Sequence, residues 1–302
     1  MFTSLSPQRG EGPGVRKWFE SFLPPTSGNR LRRVARLGLA LALMSRAVLF
    51  QFDSQIPAQE ASKRSQRELR VAAASDLKFA LDEIVLDFQK DHPEITVKVT
   101  YGSSGNFYSQ LSNQAPFDLF FSADIGYPRK LSEQGLALPG TEFLYAIGRL
   151  VVWVPKSSPI QVEQLKMEAL RHESVRHIAI ANPRHAPYGK AAEAALRSSG
   201  IYEAVQPKLV FGENISQTLQ FVQSGNAEIG IVALSLALAP GVKDQGRYWK
   251  VPSDAYPRLE QGGVILKWAK DPQAAQRLRE FVTGPKGRSR LRGYGFYLPG
   301  EE

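Results

Sequence analysis

The stretch "VAAASDLKFALDEI" at residues 71–84 decides the fold of this chain. It begins with small apolar residues, which are typical of a buried strand, and then passes through Ser75 and Asp76. Leu77, Leu81 and Ile84 follow at helical spacing, so they lie on one face of a predicted helix. The stretch therefore predicts a strand that leads directly into a helix, which is the repeating unit of α/β folds.

The same alternation continues along the chain. Strand-like runs such as "ITVKVTYG", "FDLFFSA" and "HIAIANP" are separated by segments with helical periodicity. Helices are predicted near 105–113, 126–135, 189–199, 216–224 and 272–283. We predict an α/β fold with mostly parallel sheets and two lobes, namely residues 67–147 plus 251–302 and residues 148–250. The chain would cross near residues 147 and 250, and a ligand cleft would lie between the lobes.

Residues 1–61 form an N-terminal extension with the features of a signal peptide. Arginines at positions 30, 32, 33 and 36 precede an apolar run at 37–44, and Ala58 and Ala61 offer small residues for cleavage. This order predicts export to the periplasm. An uncleaved anchor that extends through Phe52 and a later start codon remain open, and so does tethering of the exported protein to the membrane.

Composition excludes several classes of function. The chain has no cysteine, which removes thiolate catalysis and cysteine-ligated metal sites. About half of the net charge of +9 lies in the first 61 residues, so no dense basic face is left for nucleic acid. The four histidines lack metal-ligand spacing, and neither a nucleophile elbow nor a P-loop occurs. We expect no enzyme activity, no metal cation site and no cofactor.

Four junctions between a strand or loop and a helix are similar in composition, with small and polar residues in each. They are "AASDL" at 73–77, "YGSSGNF" at 101–107, "APYGKAA" at 186–192 and "GENISQ" at 212–217. The carboxyl ends of strands gather at the cleft of an open α/β sheet, so the four junctions can converge. Helix starts present unpaired N–H groups and a partial positive charge, which suit an anion. Taken singly, however, Ser75 would more often be an ordinary N-cap.

Five ordered blocks carry a resemblance to a known family. They are "VAAASDLKFALDEI", "YGSSGNFYSQL", "FDLFFSAD", "ANPRHAPYGKAAEAAL" and "GENISQTLQFVQSGNAEIGIV", and together they cover about residues 69 to 300. The chain resembles the periplasmic molybdate-binding proteins of molybdate ABC importers. The resemblance implies a type II periplasmic-binding-protein fold and a monomeric receptor. The ligand would be molybdate, and tungstate as well, delivered to a membrane permease.

The resemblance also implies a set of uncharged donors to the oxyanion. By position these are the hydroxyl and amide of Ser75, the hydroxyl and amide of Ser104, and the amides of Asp76, Tyr188 and Ile215. Asp76 is expected to act as a backbone donor only, with its side chain facing solvent. Where some members of the family have a ligand-binding tyrosine, this chain has Ala233. The Tyr188 phenol would either contact the ligand or merely cover it.

Two alternatives stay open at this point. A receptor for another tetrahedral oxyanion, such as sulfate or phosphate, would use the same kind of donors, and molybdate and tungstate cannot be separated by sequence. A hydrolase or transferase would use Ser104 as its nucleophile, although no base for it is evident in the sequence.

Overall fold

The computed structural model describes residues 67–301, and all of them belong to one compact unit. The predicted N-terminal extension and signal peptide at residues 1–61 lie outside the described residues. No helix within 67–301 is both long enough and apolar enough to cross a membrane.

Within the described range, ten strands form two five-stranded sheets. The strands are β1 (Arg67–Ala74), β2 (Ile95–Gly102), β3 (Leu119–Ser122), β4 (Phe143–Gly148), β5 (Leu150–Pro155), β6 (Ile178–Ala181), β7 (Leu209–Gly212), β8 (Ile229–Ala233), β9 (Gly246–Lys250) and β10 (Leu259–Ile265). The first sheet has the order β2-β1-β3-β10-β4, and the second sheet has the order β7-β6-β8-β5-β9.

Each sheet is mixed, with one reversed strand. In the first sheet β10 runs antiparallel to β3 and β4, while β1 pairs in parallel with β2 and β3. In the second sheet β5 is the reversed strand, and β6 pairs in parallel with β7 and β8. Four of the five strands in each sheet therefore share a direction, which confirms the predicted α/β class and adds the reversed strands.

Helices connect the strands along the chain. They are α1 (Lys78–Asp91), α2 (Ser104–Ser112), α3 (Gly126–Glu133), α4 (Val162–Leu165), α5 (Pro187–Ser198), α6 (Tyr202–Val205), α7 (Ile215–Gln223), α8 (Leu234–Ala237), α9 (Pro272–Thr283) and α10 (Pro285–Gly293). The apolar stripe predicted for α1 is buried at Leu81, Ile84, Val85 and Phe88. Burial of that stripe against the first sheet stabilises the helix more than its intrinsic propensity does.

The sequence did not predict α10. Its segment "PKGRSRLRG" is mostly basic and polar, and only Gly287 and Leu291 are buried, so it lacks the stripe that marks a surface helix. Contacts with α9 and α1 hold it in place, including an ion pair between Lys286 and Asp91 at 2.7 Å. Such an exposed pair contributes at most about 1 kcal/mol, so tertiary packing rather than sequence pattern defines this helix.

The chain passes between the sheets at two places. Strand β4 ends at Gly148 and β5 begins at Leu150, while β9 ends at Lys250 and β10 begins at Leu259. The division into lobes 67–147 plus 251–302 and 148–250 stays a prediction, since the described residues form a single compact unit.

Candidate functional site

The four predicted junctions converge on one small cavity with a volume of about 10 Å³. Its lining residues are Ala74, Ser75, Asp76, Gly102, Ser103, Ser104, Ala123, Ala186, Pro187, Tyr188, Asn214 and Ile215. The first seven lie at the ends of strands of the first sheet or just after them, and the other five follow strands of the second sheet. All five residues predicted to bind the ligand line this cavity, although their binding role stays a prediction.

Ser104 presents a hydroxyl group whose hydrogen is free to be donated. It is the first residue of α2, and only 1% of its surface is exposed. Its Oγ accepts a hydrogen bond from the amide of Ala123 at 2.9 Å, and no acceptor for its hydrogen lies within the described part of the chain. The amide of Ser104 lies in the first turn, where N–H groups have no acceptor within the helix. Ser104 therefore offers two donors.

The hydroxyl of Ser75 is engaged across the cavity. It donates to Oδ1 of Asn214 at 3.1 Å, and its Oγ accepts from the amide of Ser216 at 3.3 Å. Asn214 Oδ1 also accepts from the amides of Ser216 and Gln217, so the N-cap of α7 fixes the orientation of this amide group. Because Ser75 has a single hydroxyl hydrogen, it cannot donate to Asn214 and to an oxyanion together. Its predicted ligand contact thus requires rotation of the hydroxyl.

The amides of Tyr188 and Ile215 are the first free donors of their helices. Pro187 occupies the first position of α5 and has no N–H group, so Tyr188 supplies the first donor of that helix. Ile215 is the first residue of α7, and the N-cap Asn214 accepts from the next two amides but not from Ile215. Both helix starts therefore direct an unpaired N–H and the positive end of a helix dipole toward the cavity.

The side chain of Asp76 does not face solvent, so that expectation was wrong. Only 1% of the residue is exposed, because it lies in the 3-10 turn Ser75–Leu77 beneath elements of both sheets. Its Oδ2 accepts hydrogen bonds from the Tyr188 hydroxyl at 3.0 Å and from Nε2 of Gln261 at 2.6 Å. These two donors hold the side chain of Asp76 inward and replace water as hydrogen-bond partners of its carboxylate.

Burial controls the ionisation of this cluster. Loss of hydration raises the pKa of Asp76 to about 6, although hydrogen bonds from Gln261 and Tyr188 and the nearby amides of Asp76 and Leu77 act in the opposite direction. Burial also raises the pKa of the Tyr188 phenol well above its ordinary value, and the negative charge of Asp76 adds to the rise. Since its hydroxyl is engaged by Asp76 and Gln261, Tyr188 is better suited to offer its amide than its phenol to a ligand.

A second contact beside the cavity joins a segment that follows the first sheet to a segment that follows the second sheet. The carbonyl oxygen of His185 accepts from the amide of Gly105 at 2.9 Å and from the hydroxyl of Ser103 at 2.8 Å. The His185 ring nitrogen Nδ1 also lies 2.8 Å from Ser103 Oγ. His185 is half-buried and connects the loop after β6 to the start of α2.

Comparison with known proteins identifies the family. Residues 69–297 match the model of the bacterial extracellular solute-binding proteins. The chain belongs to this family. The molybdate-binding protein ModA of Azotobacter vinelandii is 41% identical over 235 residues, which are 76% of this chain and 90% of that protein. ModA of Rhodobacter capsulatus is 40% identical over 67% of this chain and 77% of its own length.

A solved structure agrees with this placement. The periplasmic molybdate-binding protein of Azotobacter vinelandii superposes with a TM-score of 0.72 at 35% identity, covering 76% of this chain and 99% of that one. The fold is thus that of the periplasmic binding proteins. Membership among the extracellular solute-binding proteins indicates a binding role and a location outside the cytoplasm.

Several polar residues of this solute-binding protein were not predicted to matter. Gln261, Ser103, Asn214 and Ser235 all make hydrogen bonds around the cavity, and Ser235 donates to the backbone oxygen of Asp76 at 2.8 Å. Asn214 carried a signal, because an asparagine before a helix is a common N-cap. Gln261 carried almost none, since its contact with Asp76 spans 185 residues of chain.

The hydrogen-bond donors that the cavity offers to a ligand are neutral hydroxyl and amide groups. No lysine, arginine or histidine from residues 67–301 lines it, and this part of the chain contains no cluster of three or more acidic or histidine side chains suited to a metal ion. Ser104 has an amide rather than a base as its hydrogen-bond partner, so the nucleophile hypothesis lacks its activating group in the described structure. The arrangement suits a small anion held by hydroxyl and amide groups.

Proposed function

We propose that this solute-binding protein captures molybdate in the cavity between the two sheets and delivers it to the membrane permease of an ABC importer. The observation that carries the proposal is the convergence of four helix-start segments, two from each sheet, on one small cavity lined without a cationic side chain. The names of the two relatives at 41% and 40% identity give the ligand class.

Hydrogen bonds alone can supply the affinity. A bond between a neutral donor and an anion contributes roughly 1.5–3 kcal/mol, and about six of them support a sub-micromolar dissociation constant after desolvation costs. The proposed donors are the hydroxyls and amides of Ser75 and Ser104 and the amides of Asp76, Tyr188 and Ile215. Their combined geometry requires segments from both sheets, so binding favours the conformation in which the sheets close on the anion.

The donors also explain which anions fit. The donors that line the cavity are N–H and O–H groups, which suit a fully deprotonated tetrahedral oxyanion because every oxygen of that anion can accept a hydrogen bond. Tungstate has nearly the size and charge of molybdate, so we include it in the proposal. The proposal includes a protein that acts as a monomer in the periplasm.

Titration calorimetry of the purified protein tests the proposal. Molybdate should bind with a stoichiometry of about one, and a large excess of sulfate or phosphate should leave most of that binding intact. Tungstate should compete with molybdate. If sulfate displaced molybdate at comparable concentration, the receptor would be one for a different oxyanion. Absence of any heat with molybdate or tungstate would refute the proposal.

A further inference from the structure

The carboxylate of Asp76 lies at the wall of the proposed anion site without a cation beside it. Oδ2 accepts from Tyr188 and Gln261, which are neutral donors, and Oδ1 is buried with no hydrogen-bond partner among residues 67–301. The nearest lysine along the chain, Lys78, pairs with Asp82 at 3.1 Å. A buried carboxylate in this setting is stabilised poorly in its charged form.

The side chains of residues 67–301 that form hydrogen bonds with Asp76 are neutral. Tyr188 comes from α5, Tyr145 from β4 and Gln261 from β10, and Tyr145 donates to Gln261 Oε1 at 2.9 Å. Ser235 of α8 contacts the backbone of Asp76, and α7 contributes no titratable side chain to the cavity lining. Burial raises the pKa of both tyrosines well above the ordinary range, so they stay neutral at physiological pH.

A doubly charged anion in the cavity would act directly on this carboxylate. Asp76 lines the same cavity as Ser75 and Ser104, and like charges at short range in a poorly hydrated site oppose each other's ionisation. The unpartnered Oδ1 is the oxygen that can accept a proton without breaking an existing hydrogen bond. Burial raises the pKa of Asp76 to about 6.

We propose that Asp76 takes up one proton from solvent when the oxyanion binds, so that the protein captures its anion together with a proton. This inference rests on the proposed function, because it requires an anion at this site. It reduces the repulsion between the buried carboxylate and the ligand. Protonation also removes the need for a lysine or arginine to neutralise the Asp76 carboxylate.

Linkage fixes the direction of the pH effect. A proton that the anion draws onto Asp76 must in turn strengthen binding of the anion. The affinity is therefore highest when Asp76 is already protonated, and it falls as pH rises above about 6. The dissociation constant should rise by as much as about tenfold per pH unit until the carboxyl of the complex itself ionises.

The test is titration calorimetry of the whole protein with sodium molybdate between pH 6.5 and 8.5, in pairs of buffers that differ in ionisation enthalpy. At pH 7.5 we expect uptake of about one proton per molybdate, and a dissociation constant that increases with pH. Asp76→Asn cannot take up the proton, so its binding should show neither proton uptake nor this pH dependence. Asp118→Asn is the matched control, because Asp118 is also buried but binds the amides of Arg70 and Lys270 away from the cavity.

The outcomes separate this inference from the proposed function. Molybdate binding by the wild-type protein without proton uptake would overturn the inference and leave the function intact, and this result does not depend on any variant folding. Proton uptake that persists in Asp76→Asn would assign the proton to another group and would also overturn it. Failure of molybdate to bind at any pH would refute the proposed function itself.

Discussion

Ser104 and Ser75 offer the same hydroxyl group to the cavity in two different states. The Oγ of Ser104 accepts a hydrogen bond from the Ala123 amide, and the hydroxyl hydrogen of Ser104 remains available. The hydroxyl hydrogen of Ser75 is instead donated to Asn214. A ligand must therefore compete with Asn214 for Ser75 but not for Ser104. The two residues, which look alike in the sequence, should differ in their contributions to binding.

We predict that Ser104→Ala weakens molybdate binding by about 1–3 kcal/mol and that Ser75→Ala weakens it by less. The difference arises because Ser75 exchanges one hydrogen bond for another when the anion binds. Calorimetry on both variants measures it, with Ser109→Ala, at an exposed position on α2, as the control. Equal affinity of the wild type and Ser104→Ala would contradict the site.

Asp76 should lower the stability of the fold at neutral pH. Its pKa in the folded protein is about 6, above the unfolded value of 3.8, so the folded state binds more protons between these values and stability falls as pH rises through that window. We predict that Asp76→Asn raises the free energy of unfolding at pH 8 by about 1–3 kcal/mol, and that the gain shrinks toward pH 4. Urea unfolding at both pH values checks this, and a gain that is larger at pH 4 would contradict the assignment.

At the scale of elements, segments from the two sheets approach each other closely at Gly105. This residue lies in the first turn of α2 and donates to the carbonyl oxygen of His185 in the loop after β6. A Cβ atom at position 105 would lie 2.5 Å from that oxygen and 2.9 Å from the Tyr127 hydroxyl. Backbone atoms cannot move aside as a flexible side chain can, so the two segments would have to separate.

We predict that Gly105→Ala weakens molybdate binding by about 1–3 kcal/mol, because overpacking holds the donors of the two sheets apart. The circular dichroism spectrum should stay that of the wild type, since the strain falls on the contact and not within a helix. Gly293→Ala is the control, as a Cβ there meets nothing within 4 Å. Unchanged affinity in Gly105→Ala would show that this contact is not needed for binding.

The elements that the sequence predicted well are those with a strong local pattern. The strand at 67–74 follows from its run of small apolar residues, and the helix at 78–91 follows from apolar residues at helical spacing. The reversed strands and α10 were missed for a physical reason. Strand direction depends on how the chain crosses between the sheets. Helix α10 has no apolar stripe of its own and is held by contacts with α9 and with α1, which is distant in sequence.

At the scale of the whole molecule, the general location of the site could be predicted and its internal contacts could not. Open α/β sheets bring the ends of their strands together, so Ser75, Ser104, Tyr188 and Ile215 could be placed on one cavity from their positions after strands. The burial of Asp76 depends on Gln261, which reaches it only because β10 lies between β3 and β4. Long-range pairings of this kind leave almost no trace in a single sequence.

The most direct test of the account is a crystal structure of the protein grown with molybdate, with anomalous scattering recorded from molybdenum. We predict one strong peak in the cavity, within hydrogen-bond reach of Ser104 Oγ and of the amides of Tyr188 and Ile215, with no lysine or arginine side chain on the anion. A peak at another place on the molecule, or an anion held by a cationic side chain, would contradict the central claim that neutral donors from both sheets bind the oxyanion.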